Sequence, residues 1–294
     1  QMQYQKQGIW PTAGLEPNYV ENVFSTYLYT GTSSTQTITN NIDLSTKGGL
    51  VWIKMRSAGY YPKLYDTSRG VNKALNTVTT DAQATETNGI TAFNSSGFTM
   101  GNSTYINDGS NTFASWTFRE QAKFFDVVTY TGNGTNGRAI PHNLGSAPGC
   151  MIVKNVTNSN DWRVYHRSMG SPAYDYFMIL NSTAARYGTG TAVMWTADPT
   201  ATNFYVSNQS EVNANGDTYV AYLFAHNAGG FGNTGTDNVI TCGTFSTTSG
   251  GASTAPINLG YEPQWVMTKN YYGGGAWRMF DNMRGMPLGG NTAL

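Results

Sequence analysis

Apolar and polar residues alternate with a period of two in short segments along most of the chain. Clear examples are 23–30 (VFSTYLYT) and 111–118 (NTFASWTF), which are rich in β-branched and aromatic residues. Gly, Asn, Asp and Ser recur at short intervals between such segments, and no window keeps a helical period for three turns. This pattern predicts antiparallel strands. Segment 71–87 is the best candidate for a short helix, although its threonines disfavour one.

Strands this short bury a core most economically when two sheets pack face to face. We therefore predict an all-β fold built of tandem antiparallel β-sandwich modules, of jelly-roll or immunoglobulin-like type.

One pattern occurs three times along the chain. In each copy a lysine follows a leucine by ten residues and precedes a glycine by sixteen, and segments 44–70, 144–170 and 259–285 align without a gap. The repeated residues are Lys54, Lys154 and Lys269, with Gly70, Gly170 and Gly285. A unit repeated at roughly a hundred residues has the size of a domain, so we expect a string of separate domains and not one large core.

The repeats divide the chain into four parts. We predict an extended N-terminal arm at 1–22, module 1 at 23–123, module 2 at 124–232 and an incomplete module 3 at 233–294. Modules 1 and 2 end in similar strands, which carry aromatic residues at 113, 116 and 118 or at 219, 222 and 224. Half a sandwich would expose an apolar sheet face and an unpaired edge. We therefore expect further chain after Leu294 or, as the alternative, a second subunit to complete module 3.

Composition excludes several kinds of partner. Lys and Arg together number 17, as do Asp and Glu, so the formal net charge is zero, and only 12% of residues are charged. Without a basic excess, the counterion release that drives nucleic-acid binding is missing, and we predict no nucleic-acid partner. No apolar run approaches the ~20 residues of a membrane helix, which predicts no membrane insertion.

Candidate catalytic and metal-binding residues are few and scattered. Three histidines and two cysteines show no close pairing, so we predict no metal site and no cofactor. Cys150 and Cys242 are expected to be small buried residues, with a disulfide between neighbouring modules as the alternative. No GxSxG motif occurs, and acidic residues such as Asp198, Glu211 and Asp217 are dispersed over loop-like segments, where such residues are usually only solvated. We predict that the protein is not an enzyme.

The repeated lysines and glycines have two interpretations. Each lysine contacts a ligand, once per module, or it lies along the sheet with its stem buried and its ammonium group in water or beside a carboxylate. We favour the second interpretation, because a catalytic lysine is not needed three times. The glycines are expected to form positive-φ turns or bulges.

Another register holds Asp66, His166 and Asp281. A metal or general-base site would keep one residue type, so the change to histidine favours a surface or turn hydrogen bond. Arg69 and Arg284 follow the two aspartates by three residues, which predicts local ion pairs that module 2 lacks.

The loop after each lysine strand differs between modules. It contains Tyr60 and Tyr61 in module 1 and Tyr271 and Tyr272 in module 3. Exposed aromatic rings are good platforms for sugar rings, so these four tyrosines are the candidate glycan-binding residues. The alternative, which we favour, is that they pack against an adjacent module or subunit.

The order of motifs resembles a known family. GLVWIK followed by LYDTSRG, NTFASWTF leading into KFFDVVTYTG, and DTYVAYLFAHNAGGFG are similar to a repeated β-rich domain of unknown function in structural and tail-fibre proteins of tailed bacteriophages, particularly marine and cyanobacterial phages. The resemblance covers about residues 20 to 290. It implies a virion component at the particle surface, with other virion proteins as partners, and carries over no catalytic residues.

Together these observations lead to one functional hypothesis and two alternatives. The hypothesis is a phage tail fibre or similar surface appendage with a role in attachment to a host-surface glycan. By analogy with phage fibres it would form a homo-oligomer, with a trimer as the expected state, and its N-terminal arm would dock to the particle. The alternatives are a capsid decoration, head fibre or adaptor protein with no receptor role, and a carbohydrate-active depolymerase.

Overall fold

A computed structural model describes residues 17–188, 190, 193–248, 253 and 255–286. Within these residues the fold is all-β, as the alternation predicts, and its two α-helices have only one turn each. Residues 1–16 of the predicted arm lie outside the described residues. The end of the arm lies against module 2, because Asn18 forms a β-bridge with Gly232 and the Tyr19 hydroxyl donates to Asn233.

Module 1 is a sandwich of two antiparallel sheets. Its elements are β1 (Phe24–Thr30), β2 (Gln36–Thr39), β3 (Gly49–Met55), β4 (Lys63–Asp66), β5 (Lys73–Asn76), β6 (Ala84–Thr85), β7 (Ile90–Asn94), β8 (Gly97–Met100), α1 (Thr104–Asn107) and β9 (Thr112–Arg119). The large sheet has the order β1-β9-β3-β4-β5-β6, and the small sheet has the order β2-β8-β7. The helix considered for 71–87 is wrong. This segment forms β5 and β6, because Leu75 pairs with Leu64 and both side chains are buried.

Module 2 repeats this arrangement. Its elements are β10 (Phe125–Thr131), β11 (Arg138–Pro141), β12 (Cys150–Asn155), β13 (Arg163–His166), β14 (Met178–Ile179), β15 (Trp195–Ala197), β16 (Asn203–Val206), α2 (Ser210–Asn213) and β17 (Thr218–Phe224). The large sheet has the order β10-β17-β12-β13-β14, and the small sheet has the order β11-β16-β15. Short 3-10 helices occur at Val20–Asn22, Ala173–Asp175 and Asn282–Arg284.

The described part of module 3 contains one hairpin of two strands, β18 (Trp265–Thr268) and β19 (Arg278–Asp281). Its register matches that of the equivalent hairpins, because Asp281 pairs with Trp265 as Asp66 pairs with Leu50 and His166 with Cys150. Residues 238–246 form no strand, although their alternation resembles that of β1 and β10.

Three kinds of strand recur, and we name them by position. The opening strands are β1 and β10, the lysine strands are β3, β12 and β18, and the closing strands are β9 and β17. In modules 1 and 2 the closing strand lies between the opening strand and the lysine strand and pairs antiparallel with both. Trp116 thus lies opposite Trp52, and Tyr222 lies opposite Ile152.

Each sandwich has its own core between its large and small sheets. In module 1, Val51 and Ile53 of the lysine strand are buried in one cluster with Ile38 and Phe98 of the small sheet. The equivalent core of module 2 includes Met151 and Val153 with Ile140 and Phe204. Successive residues of a strand point to opposite faces, so Leu50 and Trp52 must face away from the small sheet.

A third core, the central core, joins the modules. It contains the opposite faces of both large sheets, and Phe118 contacts Phe224 edge-to-face with ring centroids 5.5 Å apart. Trp265, Met267 and Met279 of module 3 pack against the same cluster. The expectation of separate domains in a string is therefore wrong. Both faces of β3 and β12 are buried, which explains why residues 50–53 of β3 form a continuous apolar run.

Candidate functional site

The repeated lysines fix the loop that follows each lysine strand. Lys154 is completely buried, and its Nζ donates to the carbonyl oxygens of Asn155 at 2.7 Å, Thr80 at 3.1 Å and Asn158 at 3.4 Å. An ammonium group has three donors, so these carbonyls satisfy it. Burial lowers the pKa of Lys154 to about 8. The predicted water or carboxylate partner is absent, because backbone carbonyls take that place.

The same lysines also connect modules. Thr80 belongs to module 1, so Lys154 reaches back to the module before its own. Lys269 of module 3 likewise donates to Ser182 of module 2 and to Gly275 of its own loop. Lys54 bonds only carbonyls of its own loop among the described residues. The lysine is therefore a structural residue in all three modules.

A tryptophan accompanies two of these contacts, and it is fully buried at Trp162 and partly buried at Trp277. Trp162 Nε1 donates to the carbonyl oxygen of Asn76 in module 1 at 3.0 Å, and Trp277 Nε1 donates to that of Ile179 in module 2 at 2.9 Å. Asn76 and Ile179 are equivalent, because both lie opposite the first residue of the strand after the lysine loop. Module 1 has Pro62 at the tryptophan position.

The predicted ion pairs form, and they bind a partner that the sequence does not indicate. Arg69 Nε donates to Asp66 Oδ2 at 2.6 Å, and the Tyr222 hydroxyl of module 2 donates to the same oxygen at 2.6 Å. Asp66 is 0% exposed and accepts a hydrogen bond from the Arg69 backbone N–H at 2.8 Å, so of the predicted surface or turn roles the surface position is wrong and the turn hydrogen bond is confirmed. Burial raises the pKa of Tyr222 far above its ordinary value, which keeps its hydroxyl proton available to Asp66.

Module 3 makes the equivalent contact with module 1. Arg284 Nε and Trp116 Nε1 donate to Asp281 Oδ2 at 2.6 Å and 3.0 Å, and the Arg284 guanidinium lies 5.0 Å from the centroid of the Trp116 ring. Asp281 is 1% exposed, so here too the surface prediction is wrong. Two acid–arginine pairs thus each hold the central aromatic residue of another module's closing strand.

These contacts place the three modules in a cyclic order. Lysine and tryptophan contacts run from module 2 to module 1 and from module 3 to module 2. Acid–aromatic contacts run from module 1 to module 2 and from module 3 to module 1. If the modules lay in a linear row, module 3 could not make its acid–aromatic contact with module 1. The modules therefore surround the central core in a pseudo-three-fold arrangement.

Module 2 has His166 and Met169 where the others have aspartate and arginine. His166 Nδ1 accepts a hydrogen bond from the Ser168 backbone N–H at 3.2 Å. Burial, with His226 and Arg167 nearby, lowers the pKa of His166 to about 4, so the ring is neutral at pH 7. A neutral ring that accepts at Nδ1 carries its proton on Nε2. No described group bonds that Nε2 atom.

Glycine occupies the repeated positions for two different reasons. Gly70 and Gly285 have φ of 88°, which confirms the predicted positive-φ turn at these two positions. Gly170 does not form the predicted positive-φ turn, because its φ is not positive. A Cβ atom there would lie 2.1 Å from the Tyr176 ring, so Gly170 allows a close approach.

The four candidate tyrosines have different environments. In module 1, Tyr60 is 42% exposed and Tyr61 is 52% exposed, and Tyr60 contacts Tyr105 edge-to-face at 5.7 Å. In module 3, Tyr272 is 74% exposed, whereas Tyr271 packs partly buried against the central core. Among the described residues, no recorded ring contact or hydrogen bond joins the tyrosine pair of module 1 to the tyrosine pair of module 3.

The module 3 pair surrounds a cation from module 2. The Arg186 guanidinium lies 4.7 Å from the Tyr272 ring, 5.2 Å from Tyr271 and 4.3 Å from Tyr176. The Arg186 backbone N–H also donates to the Tyr271 carbonyl oxygen at 2.9 Å. This pair therefore joins modules 2 and 3, while Tyr60 and Tyr61 retain the free faces that a ligand would need.

The dispersed acids form structural hydrogen bonds. Asp198 accepts from the Tyr165 hydroxyl at 3.1 Å, Glu211 accepts from Arg163 at 2.8 Å, and Asp217 accepts from Asn155 at 2.8 Å. The expectation that they are only solvated is wrong. Each carboxylate instead ties a loop to the sheet of module 2.

One carboxyl group with an unusual environment was not predicted. Glu120 directly follows the closing strand of module 1, where its backbone N–H donates to Gly48. Burial first, and then the nearby carboxylates of Asp126 and Asp66, raise the pKa of Glu120 to about 7. Nothing in the local sequence indicates this, because Asp66 lies 54 positions away and meets Glu120 only in the folded sheet.

The cysteines are both free. Cys150 is buried, as predicted, and Cys242 is partly exposed. The backbone N–H of Cys242 donates to His226 Nδ1 at 3.0 Å. Within the described residues, no group of three or more His, Cys, Asp or Glu side chains is arranged to hold a metal ion.

Comparison with known proteins gives a family and no function. Neither the curated proteins nor the solved structures contain a match to this chain. In the described part of the chain, no helix has the length and apolar character needed to cross a bilayer. A family model described as a domain of unknown function (DUF7483) matches residues 20–291, which is most of the chain. The protein therefore belongs to the DUF7483 family.

Proposed function

We propose that the protein is a non-enzymatic structural component of a tailed-bacteriophage particle, a tail fibre or similar surface appendage with a role in host attachment. The virion setting rests on the motif resemblance described above. Partners in this proposal are other virion proteins, further copies of this chain and a host-surface glycan.

The proposal rests on one observation: the repeated polar residues form bonds inside the protein. The lysines, the acid–arginine pairs and the tryptophans Trp162 and Trp277 all bond other modules or their own loops, as described above. Catalytic groups, in contrast, are usually found in an open cleft with free polar atoms. A chain that uses its repeated polar residues for internal joints is suited to carrying load and holding shape.

The loop with Tyr60 and Tyr61 is the favoured attachment site. Both rings are exposed, and Tyr60 lies against the Tyr105 ring, which gives a group of aromatic faces on module 1. The ammonium group of Lys63 lies 4.0 Å from the centre of the Tyr105 ring and donates to Glu86 at 2.7 Å. Stacking on aromatic faces with polar groups alongside is the chemistry by which proteins hold sugar rings.

Immuno-electron microscopy of the particle tests the virion proposal. Antibodies raised against the recombinant chain should label tails or surface appendages of intact virions from the virus that encodes it. Absence of label from purified particles, with the protein present in the infected cell, would overturn the proposal.

A competition assay tests the attachment role. Purified chain should slow adsorption of the virus to host cells, and Tyr60→Ala/Tyr61→Ala should remove most of that competition without a change in fold. Phe245→Ala is a matched control, because Phe245 is also an exposed aromatic residue, at 48%, but lies outside this loop. Equal competition by both variants would show that the loop does not bind the receptor.

A further inference from the structure

A cleft lies among three loops of module 2. The loops are 147–148 before β12, 170–173 after β13 and 198–199 after β15, and Tyr165 and Arg167 complete the lining. The cleft has a volume of about 340 Å³, at the lower end of the range of roughly 300–1,000 Å³ that small-molecule sites have. This volume favours a ligand of about the size of a sugar ring.

Arg167 brings a positive charge to the cleft. Its backbone N–H donates to the Gly149 carbonyl oxygen at 2.9 Å, so the main chain at this position is fixed beside the start of β12. The side chain is exposed, and among the described residues its guanidinium group forms no hydrogen bond and no ion pair. A guanidinium group can bind a carboxylate through two parallel hydrogen bonds. Arg167 is therefore suited to hold the carboxylate of a ligand.

Asp198 brings a carboxylate whose position is fixed. Its Oδ1 atom accepts hydrogen bonds from the Tyr165 hydroxyl at 3.1 Å and from the Tyr174 backbone N–H at 3.0 Å. Within the described ranges no group bonds its Oδ2 atom, and Asp198 is exposed at the cleft. A carboxylate oxygen accepts hydrogen bonds and donates none. Asp198 Oδ2 can therefore accept a proton from a ligand hydroxyl group.

Module 1 shows how the equivalent tyrosine is used when no cleft acid is left over. The Tyr65 hydroxyl donates to Glu86 Oε2, and Lys63 Nζ donates to Glu86 Oε1 at 2.7 Å. Both oxygen atoms of that carboxylate thus have partners. In module 2 the residue equivalent to Lys63 is Arg163, which bonds Glu211 at 2.8 Å. The basic residue that neutralises the acid in module 1 is therefore used elsewhere in module 2.

The sequence combines these groups only in module 2. The position of Arg167 is Thr67 in module 1 and Asn282 in module 3. Module 3 also has Phe280 at the position of Tyr165, so it has no hydroxyl there to orient an acid. The lysines and the acid–arginine pairs recur because they join modules, whereas the arginine and the aspartate of the cleft do not recur. The joints between modules therefore do not account for them.

The two charges together restrict the kind of ligand. Arg167 attracts an anionic group and repels a simple cation, whereas Asp198 repels an anion that offers it no proton. The ligand must therefore carry an anionic group for the arginine and a hydroxyl group for the aspartate. Ser171 adds a hydroxyl group that can donate or accept, and Pro148 and Pro172 supply apolar surface for C–H groups. A sugar that bears a carboxylate has all of these features.

We propose that the cleft of module 2 binds a carboxylate-bearing sugar, such as a uronic acid unit of a polysaccharide. The sugar carboxylate lies on the guanidinium group of Arg167, and a ring hydroxyl donates to Asp198 Oδ2. The cleft is separate from the loop with Tyr60 and Tyr61, which belongs to module 1. Binding by the purified chain does not depend on the attachment role proposed for that loop.

A ligand-observed NMR titration of the whole chain tests the proposal. D-Glucuronate should bind saturably in the millimolar range, as expected for so small a ligand. It should bind about tenfold more tightly than D-glucose, which lacks the carboxylate, and than acetate, which lacks the hydroxyl groups. Equal affinity for glucuronate and either of these two controls would overturn the proposal, and so would glucuronate that does not saturate the chain.

Two substitutions distinguish a specific site from general attraction of anions. Arg167→Gln should weaken glucuronate binding about tenfold, whereas Arg56→Gln, at another exposed arginine, should leave it unchanged. Asp198→Asn keeps an oxygen for Tyr165 and Tyr174 and should weaken binding about fivefold, because the charged acceptor is lost. If charge attraction alone held glucuronate, removing the aspartate would strengthen binding. That result, or equal effects of the two arginine substitutions, would overturn the proposal.

A signal from the wild-type chain keeps the test valid if a variant fails to fold. Glucuronate should shift the side-chain Nε–H resonance of Arg167, while glucose should not. An unchanged resonance at a saturating glucuronate concentration would place the ligand elsewhere and contradict the proposal. Tyr60→Ala/Tyr61→Ala should bind glucuronate as tightly as the wild-type chain, so failure of the cleft proposal and failure of the attachment proposal are distinguishable.

Discussion

Modules 2 and 3 present the same hairpin to the central core but bury it to different degrees. Every residue of β12 is buried, whereas all four residues of β18 are only partly buried. The two hairpins share their register, their lysine and their tryptophan, so the difference does not come from the hairpin itself. It comes from the closing strand, which covers the free edge of the lysine strand and gives the opening strand a partner.

This comparison shows that the closing strand contributes to two modules at once. Trp116 covers its own lysine strand by lying opposite Trp52, and it also bonds Asp281 of module 3. Tyr222 does the same with Ile152 and with Asp66 of module 1. Losing such a strand would therefore weaken both its own sandwich and the joint to the next module.

Replacing Trp116 or Trp265, two of the tryptophans at the central core, should give the largest effects. Trp116→Ala should lower the free energy of unfolding by about 4 kcal/mol, because it empties a fully buried site and leaves Asp281 without that donor. Trp265→Ala should cost about 2 kcal/mol, because Trp265 is only partly buried. Urea unfolding measures both values. Equal losses would mean that the closing strand adds no burial.

Breaking the acid–arginine pair of module 1 should also lower the free energy of unfolding more than breaking the pair of module 3. Asp66→Asn should cost about 3 kcal/mol, because it leaves Arg69, with a side chain only 3% exposed, as an uncompensated buried charge. Asp281→Asn should cost about 1 kcal/mol, because the Arg284 side chain is 26% exposed and can be solvated. Chemical denaturation of both variants provides the measurement. A larger loss for Asp281→Asn would contradict this account.

Replacing the repeated lysines should lower the free energy of unfolding by smaller amounts, which again differ between modules. Lys154→Met should cost about 2 kcal/mol, since it leaves three backbone carbonyl groups without their donor, the buried one of Asn155 and two partly buried ones, of which one lies in module 1. Lys54→Met should cost about 1 kcal/mol, because Lys54 bonds only its own loop. Thermal unfolding of both variants would reveal the difference. Equal destabilisation would show that the bond to Thr80 contributes nothing.

The free energy of unfolding should depend on pH through Glu120, which lies at the junction between modules 1 and 2. The folded-state pKa of Glu120 is about 7, above the ordinary value of 4.5, so the folded protein holds a proton that the unfolded chain has released between these values. The contribution of Glu120 to stability should therefore fall as pH rises from about 4.5 to 7. Urea unfolding at pH 5.0 and 7.5 measures this change, and Glu120→Gln should remove it. An unchanged slope in that variant would contradict the assignment.

Much of the fold could be predicted from the sequence because its determinants are local. Alternation in 23–30 and 111–118 predicts β1 and β9, and the spacing from Asp66 to Arg69 predicts an ion pair that forms. The bonds between modules could not be predicted, because Tyr222 lies 156 positions from Asp66 and no local pattern connects them.

The candidate site was predictable only as a set of residue types. The sequence identifies Tyr60, Tyr61, Tyr271 and Tyr272 as loop aromatics, but their exposure depends on which module lies alongside. Arg186 packs on Tyr271 and Tyr272 and so distinguishes them from the tyrosines of module 1. It belongs to another module, and no sequence pattern around it indicates this contact.

Hydrogen exchange in the Trp116→Ala variant tests the shared central core most directly. If modules 1 and 2 fold around one core, exchange should accelerate in β17 of module 2 by about the same factor as in β9 of module 1, because both strands open together. If exchange accelerates in β9 while β17 keeps its wild-type protection, the modules unfold separately and the central core does not join them.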